Sequence, residues 1–118
     1  MTNQEIFDVL EALNDIKKSK AVFNVNTSYK LSTIKKILKP YYESIIDTRK
    51  EKFIQHGDFD EQGNIVVAKD EVKDLEQEII DLFNIENDIK INKIKLQDLN
   101  DCNLPFDIID KLIPIIEE

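Results

Sequence analysis

The sequence predicts a mainly helical α+β fold: about four helices, one of them long, with a small two-stranded β-sheet packed on the two N-terminal helices. Four segments repeat apolar residues at the three- and four-residue spacing of a helix face. Two short stretches, near residues 64–68 and 88–94, instead bunch or alternate β-branched residues as strands do. With two glycines and three prolines in 118 residues, the chain spends little of its length on loops. That length suits one domain, residues 1–118, and 42% hydrophobic residues are enough to build its core.

The first helix opens at Thr2. Thr2 and Glu5 have capping-box spacing, and Ile6, Leu10, Leu13 and Ile16 stripe one face to about Lys17. "AVFNVN" (21–26) reads as an extended connector or short strand. A second helix of about 30 residues follows, capped within Asn26–Ser28, with Leu31, Ile34, Leu38, Tyr41, Ile45 and Phe53 at helical spacing. Pro40 lies inside it, lacks a backbone donor and crowds the preceding turn, so a kink near Ile37–Pro40 or two abutting helices are expected. His56-Gly57 ends the helix, with Gly57 expected in the left-handed conformation of a C-cap.

The third helix is expected over Asp70–Asn84. Asp70 is its cap, and Val72, Leu75, Ile79 and Leu82 face inward. In "DIKINKIKL" (88–96) Ile89 and Ile91 alternate with polar residues as a half-buried strand, and the phase slips at Asn92-Lys93 before Ile94 and Leu96. The closing helix, Asn103–Glu118, has Pro105 in its first turn and a stripe of Ile108, Ile109, Leu112 and Ile116, with Pro114 distorting its end. The two strands flank the third helix and are expected to pair with each other, supported by the helices because a lone ribbon is marginal.

"HGDFDEQGNIVVAKDE" (56–71) has the first half of a calcium-binding EF-hand loop. Asp58, Asp60, Gln62, Gly63, Asn64 and Ile65 stand where positions 1, 3, 5, 6, 7 and 8 of such a loop belong. The second half departs from it. Val66 offers no side-chain ligand at position 9, and Lys69 replaces the bidentate Glu of position 12 with a cation. The competing account is a helix stop, a tight acidic turn with Gly63 at positive φ, and entry into a strand at Ile65. It explains every residue, and calcium is the weaker alternative.

Other chemistry has few candidates. His56 and Cys102 are the single histidine and cysteine. His56 ends a helix, where the dipole favours its cationic form, and the acidic surroundings of Cys102 would raise its pKa rather than activate it. There is no glycine-rich phosphate loop, no nucleophile elbow and no Cys/His group with zinc spacing. Paired carboxylates such as Glu76 and Glu78, or Asp70 and Asp74, suit a solvated acidic helix. The expectation is a non-enzyme with no catalytic residue and no cofactor.

Charge is the more informative feature. Residues 1–56 hold ten Lys/Arg and seven Asp/Glu, whereas residues 57–118 hold six and seventeen, giving +3 and −11 and the net −8. From Lys17 to Lys39 there are seven lysines and no acid. Such a split points to a charged protein partner or to a homo-oligomer joined through opposite faces, with simple solvated helix faces as the plain alternative. The partner-binding candidates are Lys30, Lys35, Lys36, Lys39, Tyr41 and Tyr42. With Lys17, Lys18, Lys20 and Tyr29 these lysines could also touch phosphates, but a single arginine and an acidic total argue against nucleic acid. No apolar run approaches the length of about 18 residues that a membrane span needs. The N-terminus lacks a signal-peptide pattern, and one cysteine fits a reducing cytoplasm.

The order of features also carries a resemblance. "KLSTIKKILKPYYESIIDTRKEKFIQHGDFDEQGNIVV", then "EVKDLEQEIIDLFNIENDIKI", then "NKIKLQDL" and a closing amphipathic helix together resemble an uncharacterised family of small proteins of tailed bacteriophages, over residues 5 to 113. The resemblance implies a phage origin, and so the cytoplasm of an infected bacterium or the virion. It brings no activity and no site residues. The expected function is a protein-interaction module in virion or tail assembly. The alternative is an early inhibitor that binds a host factor by acidic mimicry of nucleic acid.

Overall fold

A computed structural model describes residues 1–117, with the backbone alone at Asn100, Asp101 and Cys102. Its elements run α1 (Asn3–Ser19), α2 (Val25–His56), β1 (Gly57–Phe59), β2 (Ile65–Val67), α3 (Val72–Phe83), β3 (Ile94–Lys95), a 3₁₀ segment (Leu96–Cys102), α4 (Phe106–Leu112), a 3₁₀ turn (Ile113–Ile115) and β4 (Ile116–Glu117). The chain is thus mainly helical α+β, with four α-helices among the described residues.

α1 starts where its cap requires. The Thr2 hydroxyl accepts from the Glu5 N–H at 3.1 Å, and the Glu5 carboxylate accepts from the Thr2 N–H at 2.9 Å. Both orphan donors are satisfied reciprocally. α2 begins a turn earlier than expected, because Asn24 rather than Asn26–Ser28 supplies the cap: its Oδ1 accepts from the Thr27 N–H at 2.8 Å. "AVFNVN" is therefore not a strand. Phe23 docks on the core and the next residue opens the helix.

α2 then runs unbroken through Pro40 to His56, one helix and not two. Pro40 costs the Lys36 carbonyl its donor, but both residues lie on the exposed face, where water can serve that carbonyl. Leu38 and Ile45, on either side, are anchored in the same core. At 1.5 Å per residue the helix is about 48 Å long, which matches the longest molecular dimension of 50 Å.

The core joins Ile6, Val9, Leu10 and Leu13 of α1 to Leu31, Ile34, Leu38 and Ile45 of α2 and Leu82 of α3, and is closed by Ile94, Leu99, Leu112 and Ile115. Four expected inward positions differ. Phe53, Val72 and Tyr41 are each more than a third exposed and Leu96 about half, the latter's place being taken by buried Leu99 once the chain enters a 3₁₀ segment. A polar pin joins α1 to the end of α3. The buried Asn3 side chain donates to the Leu82 carbonyl at 2.7 Å and accepts from the Asn87 amide at 2.8 Å. Beside it, Phe7 stacks on Tyr42 with centroids 5.5 Å apart and meets Phe83 edge-on at 5.6 Å.

The strand pairing differs from expectation. β2 pairs antiparallel with β1, in the register Gly57↔Val67, Asp58↔Val66, Phe59↔Ile65, and not with residues 88–94. Closing a five-residue turn costs less chain entropy than pairing across a whole helix. Of the second predicted strand only Ile94 is paired among the described residues, together with Lys95 beyond it, parallel to β4, as Ile94↔Ile116 and Lys95↔Glu117. Ile89 and Ile91 still pack on the core, as their alternation requires, but without strand partners among the described residues.

α3 begins at Val72, and Asp70 does not cap it. The N-cap position falls to Glu71, whose side chain makes no capping bond. α4 ends at Leu112 because Pro114 has no N–H to continue the ladder. The Ile113 N–H instead bonds the Asp110 carbonyl in a 3₁₀ turn, and β4 follows. The expected end of that helix, Glu118, lies outside the described residues. Among the described residues no helix is long and apolar enough to cross a membrane.

Candidate interaction surface

α3, the second half of α2 and the β1–β2 hairpin meet at one end of the molecule, and nine of the eleven charged residues in 57–83 are acidic. The hairpin turn is built by Asp60. Its Oδ1 accepts from the N–H groups of Gln62 and Asn64 at 2.9 and 2.8 Å, its own N–H donates to the Asn64 carbonyl at 2.8 Å, and Gly63 takes φ +82°. Two of the oxygens that a calcium loop needs, the Asp60 carboxylate and the Asn64 carbonyl, are therefore engaged by the turn itself. Asp58 pairs with Val66 on the exposed face of the hairpin. Among the described residues no three His, Cys, Asp or Glu side chains are grouped to hold a metal ion.

Gly57 is not a left-handed cap. Its backbone is extended (φ −129°) and it begins β1. It is needed for proximity: a Cβ there would stand 2.7 Å from Ile65 Cγ2 and 2.9 Å from the Val66 carbonyl oxygen. The hairpin can therefore fold flat against the end of α2.

His56 joins that end to α3. Its Nδ1 lies 2.6 Å from Glu71 Oε2 and its Nε2 lies 3.1 Å from Glu78 Oε2. Both ring nitrogens face acceptors, which only the imidazolium satisfies with two donors. The hydrogen bond to Glu71, followed by that to Glu78, holds the His56 pKa above its ordinary value of 6.5. Lys52, one turn back, reaches the same Glu78 oxygen at 3.7 Å. Glu71 is thus drawn to His56 rather than to the helix it precedes. The Cys102 side chain lies outside the described residues.

Beside this clamp lies an apolar groove of about 500 Å³, lined by Phe53, Val67, Val72, Leu75, Ile79 and Ile80, with Glu76 on its wall. Its floor, Leu75, is buried, while Phe53 and Val72 are each over a third exposed and Ile80 is 53% exposed. Phe53, expected inward on α2, forms one wall. Ile80 was not legible as a surface feature from the α3 stripe of Val72, Leu75, Ile79 and Leu82. The signal was the Ile79-Ile80 doublet, since adjacent helical residues point 100° apart and cannot share one narrow stripe.

The predicted partner residues are not brought together. Around α2, Lys30 flanks the core on one side and lines a separate cleft of about 230 Å³ with Tyr29, Thr33, Lys90 and Asn92. Lys35 flanks the other side, beside Leu13, Ile16 and Lys17 of α1. Lys36 and Lys39 point outward. Tyr42 is occupied by Phe7, and Tyr41 is only partly exposed. A helix 32 residues long separates these side chains onto three faces. Compared with protein-family models, curated proteins and solved structures, the chain finds no match in any of the three.

Proposed function

We propose that this chain is a non-catalytic interaction module of a tailed bacteriophage, acting in virion or tail assembly by docking another protein in the groove between α2, the hairpin and α3. The observation that carries the docking surface is the uncovered apolar stripe of α3. Val72, Ile79 and Ile80 continue beyond what the fold buries, and Phe53 and Val67 extend them into one concavity. Glu76 stands on its wall, in the segment 57–83 where nine of the eleven charged residues are acidic, so the groove favours an apolar segment that carries positive charge. The phage setting comes from the sequence resemblance. A virion role predicts that mass spectrometry of purified particles of the encoding phage detects the chain, and that Ile80→Glu lowers its incorporation. Absence from particles would count against this reading and favour the host-factor inhibitor, whose signature is capture of a DNA-binding protein that charge reversal at Asp74, Glu76 and Asp81 abolishes.

A further inference from the structure

We propose that the occupant of the groove is a second copy of the chain, joined head to tail through the outer face of the first half of α2. This rests on the groove being a docking site, and it names what docks.

The complementary surface is present on the same molecule. Val25, Tyr29, Ser32, Lys36 and Lys39 follow one another at spacings of four, three, four and three, so they form one stripe along α2. All five are exposed, Val25 by 83% and Tyr29 by 73%, whereas Thr27, Leu31, Ile34 and Leu38 on the opposite face are buried. This is an amphipathic strip of apolar residues followed by cations. The groove offers the converse: apolar walls in Phe53, Val72 and Ile80, and Glu76 beside them. Tyr29 supplies an aromatic anchor for the concavity, and Lys36 and Lys39 supply positive charge for Glu76 on its wall.

The two surfaces lie towards opposite ends of a helix that spans the 50 Å length of the molecule. One copy cannot join its own stripe to its own groove. The contact is therefore heterologous, and copies add in series until a ring closes or a filament grows. That behaviour suits an assembly component.

The test is sedimentation equilibrium of the purified protein over a concentration series. At low salt the mass should rise beyond that of a dimer. It should return to the 13.8 kDa monomer in 1 M salt, where the screening length falls to about 3 Å. Ile80→Glu in the groove and Lys36→Glu/Lys39→Glu on the stripe should each give monomers, with unchanged circular dichroism showing that both variants fold. An equimolar mixture of the two variants restores one intact contact per pair and should give a dimer that grows no further. A wild-type monomer at every concentration in low salt overturns the proposal, as does a mixture that stays monomeric. If the protein is monomeric but Ile80→Glu still reduces incorporation into particles, the occupant is a basic segment of another protein, and the docking site stands without the self-association.

Discussion

At the scale of single residues, two polar side chains do work that apolar ones could not. Asn3 is buried, donates to the Leu82 carbonyl at the end of α3 and accepts from the Asn87 amide. Asn3→Ala removes two hydrogen bonds worth about 0.5–1.5 kcal/mol each, so chemical denaturation should show a loss of about 1–3 kcal/mol. His56 sets a pH dependence. Its folded-state pKa is raised above the ordinary 6.5 by Glu71 and then Glu78, so the clamp's contribution is fully present below pH 6.5 and is lost as pH rises through the folded pKa. Thermal melts should therefore fall over that window in the wild type. In His56→Gln the fall should be absent, while Lys52 keeps its contact with Glu78 at all these pH values.

At the scale of elements, the helices are held by packing more than by local preference. α2 tolerates Pro40 because its buried residues, Leu31, Ile34, Leu38 and Ile45, bracket the proline and tie both halves to one core. Because the helix is continuous, Pro40→Ala restores a backbone bond and should stabilise by up to about 3 kcal/mol, reduced by the roughly 0.4–1 kcal/mol that proline contributes through the unfolded chain. An unchanged or lower melting temperature would mean that the helix breaks there. The hairpin shows the same priority of close packing over turn signals. Gly57 was legible as a helix stop, but not as the point where Ile65 and the Val66 carbonyl come too near for a side chain.

At the scale of the whole molecule, the groove behaves as surface and not as core. Ile80→Glu should change thermal stability by no more than about 0.5 kcal/mol, as exposed substitutions do. Leu75→Ala, from the buried floor of the same groove, should cost about 2–5 kcal/mol. Equal, large losses at both positions would mean that the groove is closed in solution. The charge split visible along the chain becomes a split in space because α2 is a single long rod. It carries Lys30, Lys35, Lys36 and Lys39 on its first half, while the acidic hairpin and α3 pack against its second half.

The sequence by itself determined the class, the number of helices, the capping box at Thr2, the acidic turn at Gly63 and most core residues of each stripe. All of these depend on neighbours within a few positions, where period and side-chain chemistry decide. Only the tertiary structure decided that β2 turns back on β1, that residues 88–93 lie against the core without a sheet, and that Lys30, Lys35 and Lys36 part onto different faces. It also decided that one flank of the α3 stripe, with Ile80, is left uncovered. A pattern of apolar residues states that a face must be buried. Which face meets which, and what remains open once they have met, is settled by competition among all the faces at once.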